Sequence, residues 1–120
     1  MASELRVNTL KDASGNNSVA TSVVFNGTAK TWARLSSTGI TESFNASGFT
    51  DNGAGDYTIT FTSAFSSNTF AGTTSPVGTA ARAAQYSAAL TTGIDIDNFV
   101  STSGSRTDGG TAFDIHGDPA

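Results

Sequence analysis

From Tyr57 to Thr62 the chain alternates without a break: Tyr57, Ile59 and Phe61 fall on one side, Thr58, Thr60 and Thr62 on the other. That two-residue period marks a strand buried on one face only. The preceding Asp51-Asn52-Gly53-Ala54-Gly55-Asp56 is made of residues that tolerate positive φ and tight reversals. Asn45 to Thr62 is therefore expected to be a β-hairpin, with Asp51, Asn52, Gly53, Gly55 and Asp56 forming its turn. Shorter strands are predicted at Leu5 to Leu10, with Leu5, Val7 and Thr9 on one face, and at Ser18 to Phe25. Others follow near Lys30 to Leu35, Ile40 to Phe44 and Ile94 to Val100, and Thr111 to His116 closes the chain. Clusters of Gly, Asn, Asp and Ser separate them at Asp12 to Asn17, Asn26-Gly27, Ser66 to Asn68 and Ser103 to Gly110.

Two places break the simple pattern. Between Phe44 and Phe49 the apolar positions switch from even to odd, which predicts a bulge or kink at Ala46-Ser47-Gly48. After Ser75-Pro76-Val77-Gly78, the run from 79 to 90 is ambiguous. Its alanines favour a helix ended by Gly93, whereas an all-β context favours a strand, the preferred reading. Short strands at this spacing imply an all-β fold: a small antiparallel β-sandwich, jelly-roll-like or barrel. Residues 1–17 are read as an extended N-terminal arm or docking segment, and 18–120 as a single β domain.

Composition sharpens this picture. Thr (19) and Ser (16) together give 35 of 120 residues a small hydroxyl, whereas Leu, Ile, Val and Phe number only 23, or 19%. Such a share with high net charge would indicate disorder, but the net charge is only −4 and the alternation argues for order. The expectation is a thin monomer core that association with identical copies completes. The chain has no cysteine to form disulfides and one histidine, too few for a structural zinc site. The acidic balance, with six scattered Lys and Arg, argues against nucleic acid. No apolar run approaches the length of a membrane span, and Met1 to Arg6 lacks a signal-peptide core.

Asn45-Ala46-Ser47, followed by Thr50-Asp51-Asn52-Gly53-Ala54-Gly55-Asp56-Tyr57-Thr58 and Phe61, resembles a segment recurring in bacteriophage tail-fibre and other virion structural proteins. Trp32 stands upstream at about the family's distance, and Leu5 to Asn16 looks like the N-terminal piece of the same proteins. These matches cover about half the chain. The family usually ends in an apolar strand, whereas this chain ends Gly110-Thr111-Ala112-Phe113-Asp114-Ile115-His116-Gly117-Asp118. The resemblance implies a virion protein made in the host cytoplasm, trimeric by analogy, whose partners are other capsid or tail proteins.

Candidate chemistry is sparse. Asp51 and Asp56 flank the turn, but the residues between them do not supply the alternating oxygens of a calcium loop, so they are read as turn residues. Asp95 and Asp97 alternate with Ile94 and Ile96, and are read as a solvent-facing edge whose charges discourage aggregation. His116 has Asp114 and Asp118 nearby, but no strained Gly-x-Ser-x-Gly elbow accompanies it. It is read as an exposed or interface histidine. Three Asn-x-Ser/Thr patterns, at Asn16, Asn26 and Asn45, are read as turns. Most of the aromatics are expected in the core, with Trp32 and Tyr86 the candidate surface aromatics for stacking on a sugar.

The expectation is thus a non-enzymatic homotrimeric module on the particle surface, without a cofactor: a capsid decoration (cement) protein or a short head or tail fibre. Leu5, Val7 and Leu10 are the expected docking residues. The alternative is a fibre-tip module that binds a host receptor or surface glycan through loops such as Ser103 to Gly110. Beginning at Met1, the chain is expected to be a complete protein.

Overall fold

The computed structural model describes residues 3–78 and 81–118. A small hairpin, β1 (Thr9–Lys11) and β2 (Ser18–Ala20), leads into a one-helix segment, α1 (Thr21–Gly27). Eight strands then build two antiparallel four-stranded sheets. One contains β3 (Thr31–Ser36), β4 (Gly39–Phe44), β7 (Ala71–Val77) and β10 (Gly110–His116), in the spatial order β4-β3-β10-β7. The other contains β5 (Ala46–Gly53), β6 (Asp56–Phe61), β8 (Arg82–Leu90) and β9 (Gly93–Val100), ordered β5-β6-β9-β8. The fold is all-β, a sandwich whose sheets do not close into a barrel.

The alternation predicted at Tyr57, Ile59 and Phe61 is what fills the interior. All three are buried; Ile59 and Phe61 share one core cluster with Ala33, Leu35, Phe113 and Ile115 of the first sheet and with Ile94 and Ile96 of β9, and Tyr57 packs its ring against Phe49, centroids 5.1 Å apart. Phe65 and Phe70, from the connection between β6 and β7, close one end against Phe61, with ring centroids 5.0–6.0 Å apart. Large apolar residues are few, so threonine completes the inner surface. Thr31 and Thr111 are fully buried, and each hydroxyl accepts a hydrogen bond from an asparagine amide: Asn45 for Thr31 (2.9 Å) and Asn98 for Thr111 (3.0 Å). Buried polar groups are tolerable when paired in this way.

The parity switch after Phe44 has a clear cause. The chain passes from one sheet to the other at Asn45, whose φ of 59° lies in the left-handed region. A register shift follows between Ala46 and Gly48. Asn45 is tied down by its side chain, which donates to the Ser63 carbonyl and accepts from the Ser63 N–H. Its glycosylation-like pattern is thus a turn, as read. Of the ambiguous run from 79 to 90, Arg82–Leu90 is the strand β8 rather than a helix, while 79–80 lie outside the described residues; Pro76 sits on β7, an edge strand where a missing N–H costs least.

Three expectations need correction. Ser18 to Phe25 is not one strand: β2 ends at Ala20 and Thr21 starts α1, which also takes in Asn26 and Gly27, the pair read as a turn. The strand expected at Leu5 to Leu10 is confined to Thr9–Lys11, because only there does β2 supply a hydrogen-bonding partner. Asp95 and Asp97 are not an exposed edge, because β9 lies between β6 and β8; Asp97 is only 1% exposed. The β1–β2 turn is organised by Asp12, whose carboxylate accepts from the Asn17 amide (2.7 Å), the Ser14 hydroxyl and the Asn16 N–H. The Asn17 and Ser14 bonds hold its pKa below the usual carboxylate range. This hairpin spans the boundary expected at residue 17, and the sandwich itself begins at Thr31.

The hairpin and helix project from the sandwich. The longest dimension is 53 Å and the radius of gyration 17.4 Å, against about 14 Å for a compact domain of this length.

Candidate functional site

The most elaborate polar arrangement lies at one end of the sandwich, where the β5–β6 turn meets the loop from Ser101 to Gly109. Gly53 pairs with Asp56 across a two-residue tip, Ala54-Gly55. Gly53 and Gly55 both have positive φ, 144° and 63°, and the Gly53 N–H is held by the Asp51 carboxylate at 3.0 Å. Gly55 has a second constraint. A Cβ there would come within 2.4 Å of the Asn98 carbonyl oxygen and 2.6 Å of that of Thr107. The turn is therefore a seat for the loop as well as a reversal.

Asp108 and Arg106 clasp the loop onto this seat. One Asp108 carboxylate oxygen accepts from the Gly55 N–H (2.9 Å) and from the Tyr57 hydroxyl (3.1 Å). The same hydroxyl accepts from the Gly109 N–H. Burial, above all, pushes the Tyr57 phenol above its ordinary pKa, and the neighbouring Asp108 carboxylate adds to this. Arg106 donates to Asp56 at 2.8 Å and reaches within 3.2 Å of the buried Asp97 carboxylate. That second contact is in ion-pair range but not aligned as a hydrogen bond, since the same Asp97 oxygen has no hydrogen-bond partner. Asp97 also accepts weakly from Gln85 at 3.4 Å. Asn52 donates to Thr58 (2.8 Å), which donates in turn to Asp95 (2.7 Å).

Every carboxylate at this end is thus engaged in holding the loop and strands together. Among the described residues no group of three His, Cys, Asp or Glu is placed to hold a metal ion. His116 pairs with Asp114 at 3.4 Å on the outer face of the first sheet. Thr73 donates to the same carboxylate, so hydroxyl and imidazole bond the acid rather than each other. This is not the hydroxyl–imidazole–carboxylate order of a catalytic triad, in which the imidazole stands between the other two. The Asp114 pKa is lowered, first by the Thr73 hydroxyl and then by His116.

The expected docking residues Leu5, Val7 and Leu10 are all exposed, Leu5 at 83%. The two candidate surface aromatics separate. Trp32 is exposed on the outer face of the first sheet, whereas Tyr86 is half-buried on the second, packed on the core with its ring 6.5 Å from Phe70. They share no platform. Trp32 instead stands opposite Phe44, which is exposed rather than in the core because it points outward on the edge strand β4. A cleft of about 380 Å³ beside Phe44 is lined by Lys30, Asn45, Ser63, Ala64 and Phe65. Its Asn45 amide and Lys30 ammonium already serve internal partners.

The sequence did not single out Arg106, Asp108 or Phe44. Arg106 had one usable signal, as the only basic residue in a Ser/Gly/Thr loop. Pairing Trp32 with Phe44 required knowing the register shift between Arg34 and Leu35. Comparison with protein-family models, curated proteins and solved structures returns no match to this chain.

Proposed function

We propose that this chain is a non-enzymatic structural module of a bacteriophage particle, acting as a homotrimer. A decoration protein on the capsid is the preferred role and a short head or tail fibre the second. The observation that carries the reading is the division of labour within the fold. The sandwich spends its polar groups on its own closure. The projecting segment in front of it leaves Leu5, Val7, Leu10, Val23, Val24 and Phe25 without cover. Exposed apolar side chains gathered in one projecting segment suit a partner surface, and the resemblance at Leu5 to Asn16 and at Asn45 to Phe61 supplies the kind of partner. The hairpin that bears the resemblance is the one seated under the Asp108 loop, so its Gly-x-Gly-Asp-Tyr pattern has a structural reason.

Mass spectrometry of gradient-purified particles from a phage encoding this chain tests the assignment. Stoichiometric recovery with the washed particle is the expected result; recovery only from the soluble lysate overturns it.

One observation favours a second reading, a glycan-binding fibre tip: the exposed Trp32–Phe44 pair on one face, since aromatic faces stack on sugars. A glycan array probed with the intact protein separates the two, because a cement protein gives no signal.

A further inference from the structure

The weakest element of the structure, judged by its own chain, is α1. It has seven residues, no buried residue, no side-chain cap at its N-terminus, no acid in its first turn and no base in its last. Isolated helices of this length do not persist in water, and two β-branched valines lower the propensity further. Its backbone is nevertheless anchored at both ends. The Thr21 N–H donates to the Asn8 carbonyl (2.9 Å), and Lys30 beyond it donates from its backbone to Ile115 of the sandwich (2.8 Å). The helix is held in place while Val23, Val24 and Phe25 remain exposed.

We propose that α1 is the self-association surface of this protein, and that its occupant is α1 of a second copy meeting it about a rotation axis. This rests on the homotrimer reading above and names the face that builds it. The argument is electrostatic. Near a rotation axis every side chain meets its own copy, so any charge there is apposed to a like charge, which is costly when desolvated. Each copy also carries a net charge of −4, so copies repel unless they meet on a neutral face.

The exposed apolar residues can be sorted by this criterion. Leu5 and Val7 flank Arg6, and Leu10 precedes Lys11 and Asp12. Trp32 stands opposite Asp114 as well as Phe44. Leu90 is uncharged in its surroundings but stands alone, as scattered surface leucines do. Among the described residues, only in α1 do three exposed apolar residues, Val23, Val24 and Phe25, follow one another on an uncharged element. Within α1, Val23, Val24 and Gly27 share one helix face, and Gly27 has open space around it. Lys30 sets its ammonium 4.7 Å from the Phe25 ring and bonds the Phe25 and Thr28 carbonyls; at about 3.6 residues per turn Phe25 points away from the face of Val23, Val24 and Gly27, so this charge is kept off that face. A partner of a different kind would be expected to find complementary charge; a second copy requires its absence.

The test uses the full chain, which has no native cysteine. Light scattering and thermal melting are measured for wild type, Val24→Asp and Leu90→Asp. In parallel, Val24→Cys and Leu90→Cys are oxidised and run on non-reducing gels. The expected result is an oligomeric wild type, a Val24→Asp variant reduced to one chain mass with its β-sheet signal retained, and an unaffected Leu90→Asp. Val24→Cys should form a two-chain band in the majority of molecules and Leu90→Cys only a trace. An oligomeric wild type whose Val24→Asp variant stays oligomeric, with no Val24→Cys band, overturns the α1 contact and leaves the homotrimer reading intact. A wild type of one chain mass at every concentration overturns both.

Discussion

Asp56 and Asp97 are direct cross-strand neighbours, and a single guanidinium, that of Arg106, reaches both, at 2.8 Å and 3.2 Å. Two carboxylates so placed repel each other, and Asp97 is buried, so water does not relieve its charge. Arg106 is the counter-ion for both and at the same time the clasp of the Ser101–Gly109 loop.

Arg106→Gln should therefore destabilise the fold by about 1–3 kcal/mol, below the usual cost of breaking a buried pair because Arg106 itself is half-exposed. Adding Asp97→Asn should restore part of the loss, since the uncompensated charge goes with it. Urea denaturation of the two variants checks this; a single variant as stable as wild type contradicts the clasp.

Gly55→Ala should cost more than Gly53→Ala. Both positions have positive φ, but a methyl group at Gly55 meets backbone atoms of Asn98 and Thr107, whereas nothing lies within 4 Å at Gly53. Left-handed strain and overpacking together suggest about 3–5 kcal/mol at Gly55 and about 1 kcal/mol at Gly53. Equal denaturation midpoints for the two variants would remove the seat argument.

The Tyr57 hydroxyl gives the fold an alkaline limit. Its folded-state pKa is raised above the unfolded value of about 10. Its contribution is complete below that value and is lost as the pH climbs through the folded-state value. Asp114 works in the opposite sense: its pKa is lowered, so its contribution holds above about 3.9 and fades as the pH falls through its folded-state value. Unfolding midpoints measured from pH 8 to 12 should fall steeply for wild type and less steeply for Tyr57→Phe, which itself loses about 1–3 kcal/mol at neutral pH by leaving Asp108 and the Gly109 N–H short of a partner. Parallel alkaline profiles would contradict this.

Deleting residues 2–12 removes β1 and the Asp12 turn but no residue of the sandwich, which begins at Thr31. The truncated chain should keep a cooperative β-sheet melt and fail to co-sediment with particles. Normal incorporation would refute the docking role of this segment.

What the sequence disclosed follows from how local each signal was. Tyr57, Ile59 and Phe61 stand on a strand whose two faces differ, so their burial was legible from alternation alone, and the parity switch after Phe44 located the crossing between sheets. Asp97 misled because alternation says which face a residue takes but not what covers that face; its cover comes from Arg106 and Gln85, nine and twelve residues away. The helix at Thr21–Gly27 was hidden for a related reason. Val23, Val24 and Phe25 have strand propensity, but among the described residues no strand pairs with them. Asp108 was invisible because its partners, Gly55 and Tyr57, lie more than fifty residues upstream.

Sedimentation equilibrium of the intact protein across a wide dilution series tests the central claim most directly. Assembly through an unsatisfied surface predicts a species of three times the 12.1 kDa chain mass that dissociates on dilution. A single 12.1 kDa species at every concentration would contradict it.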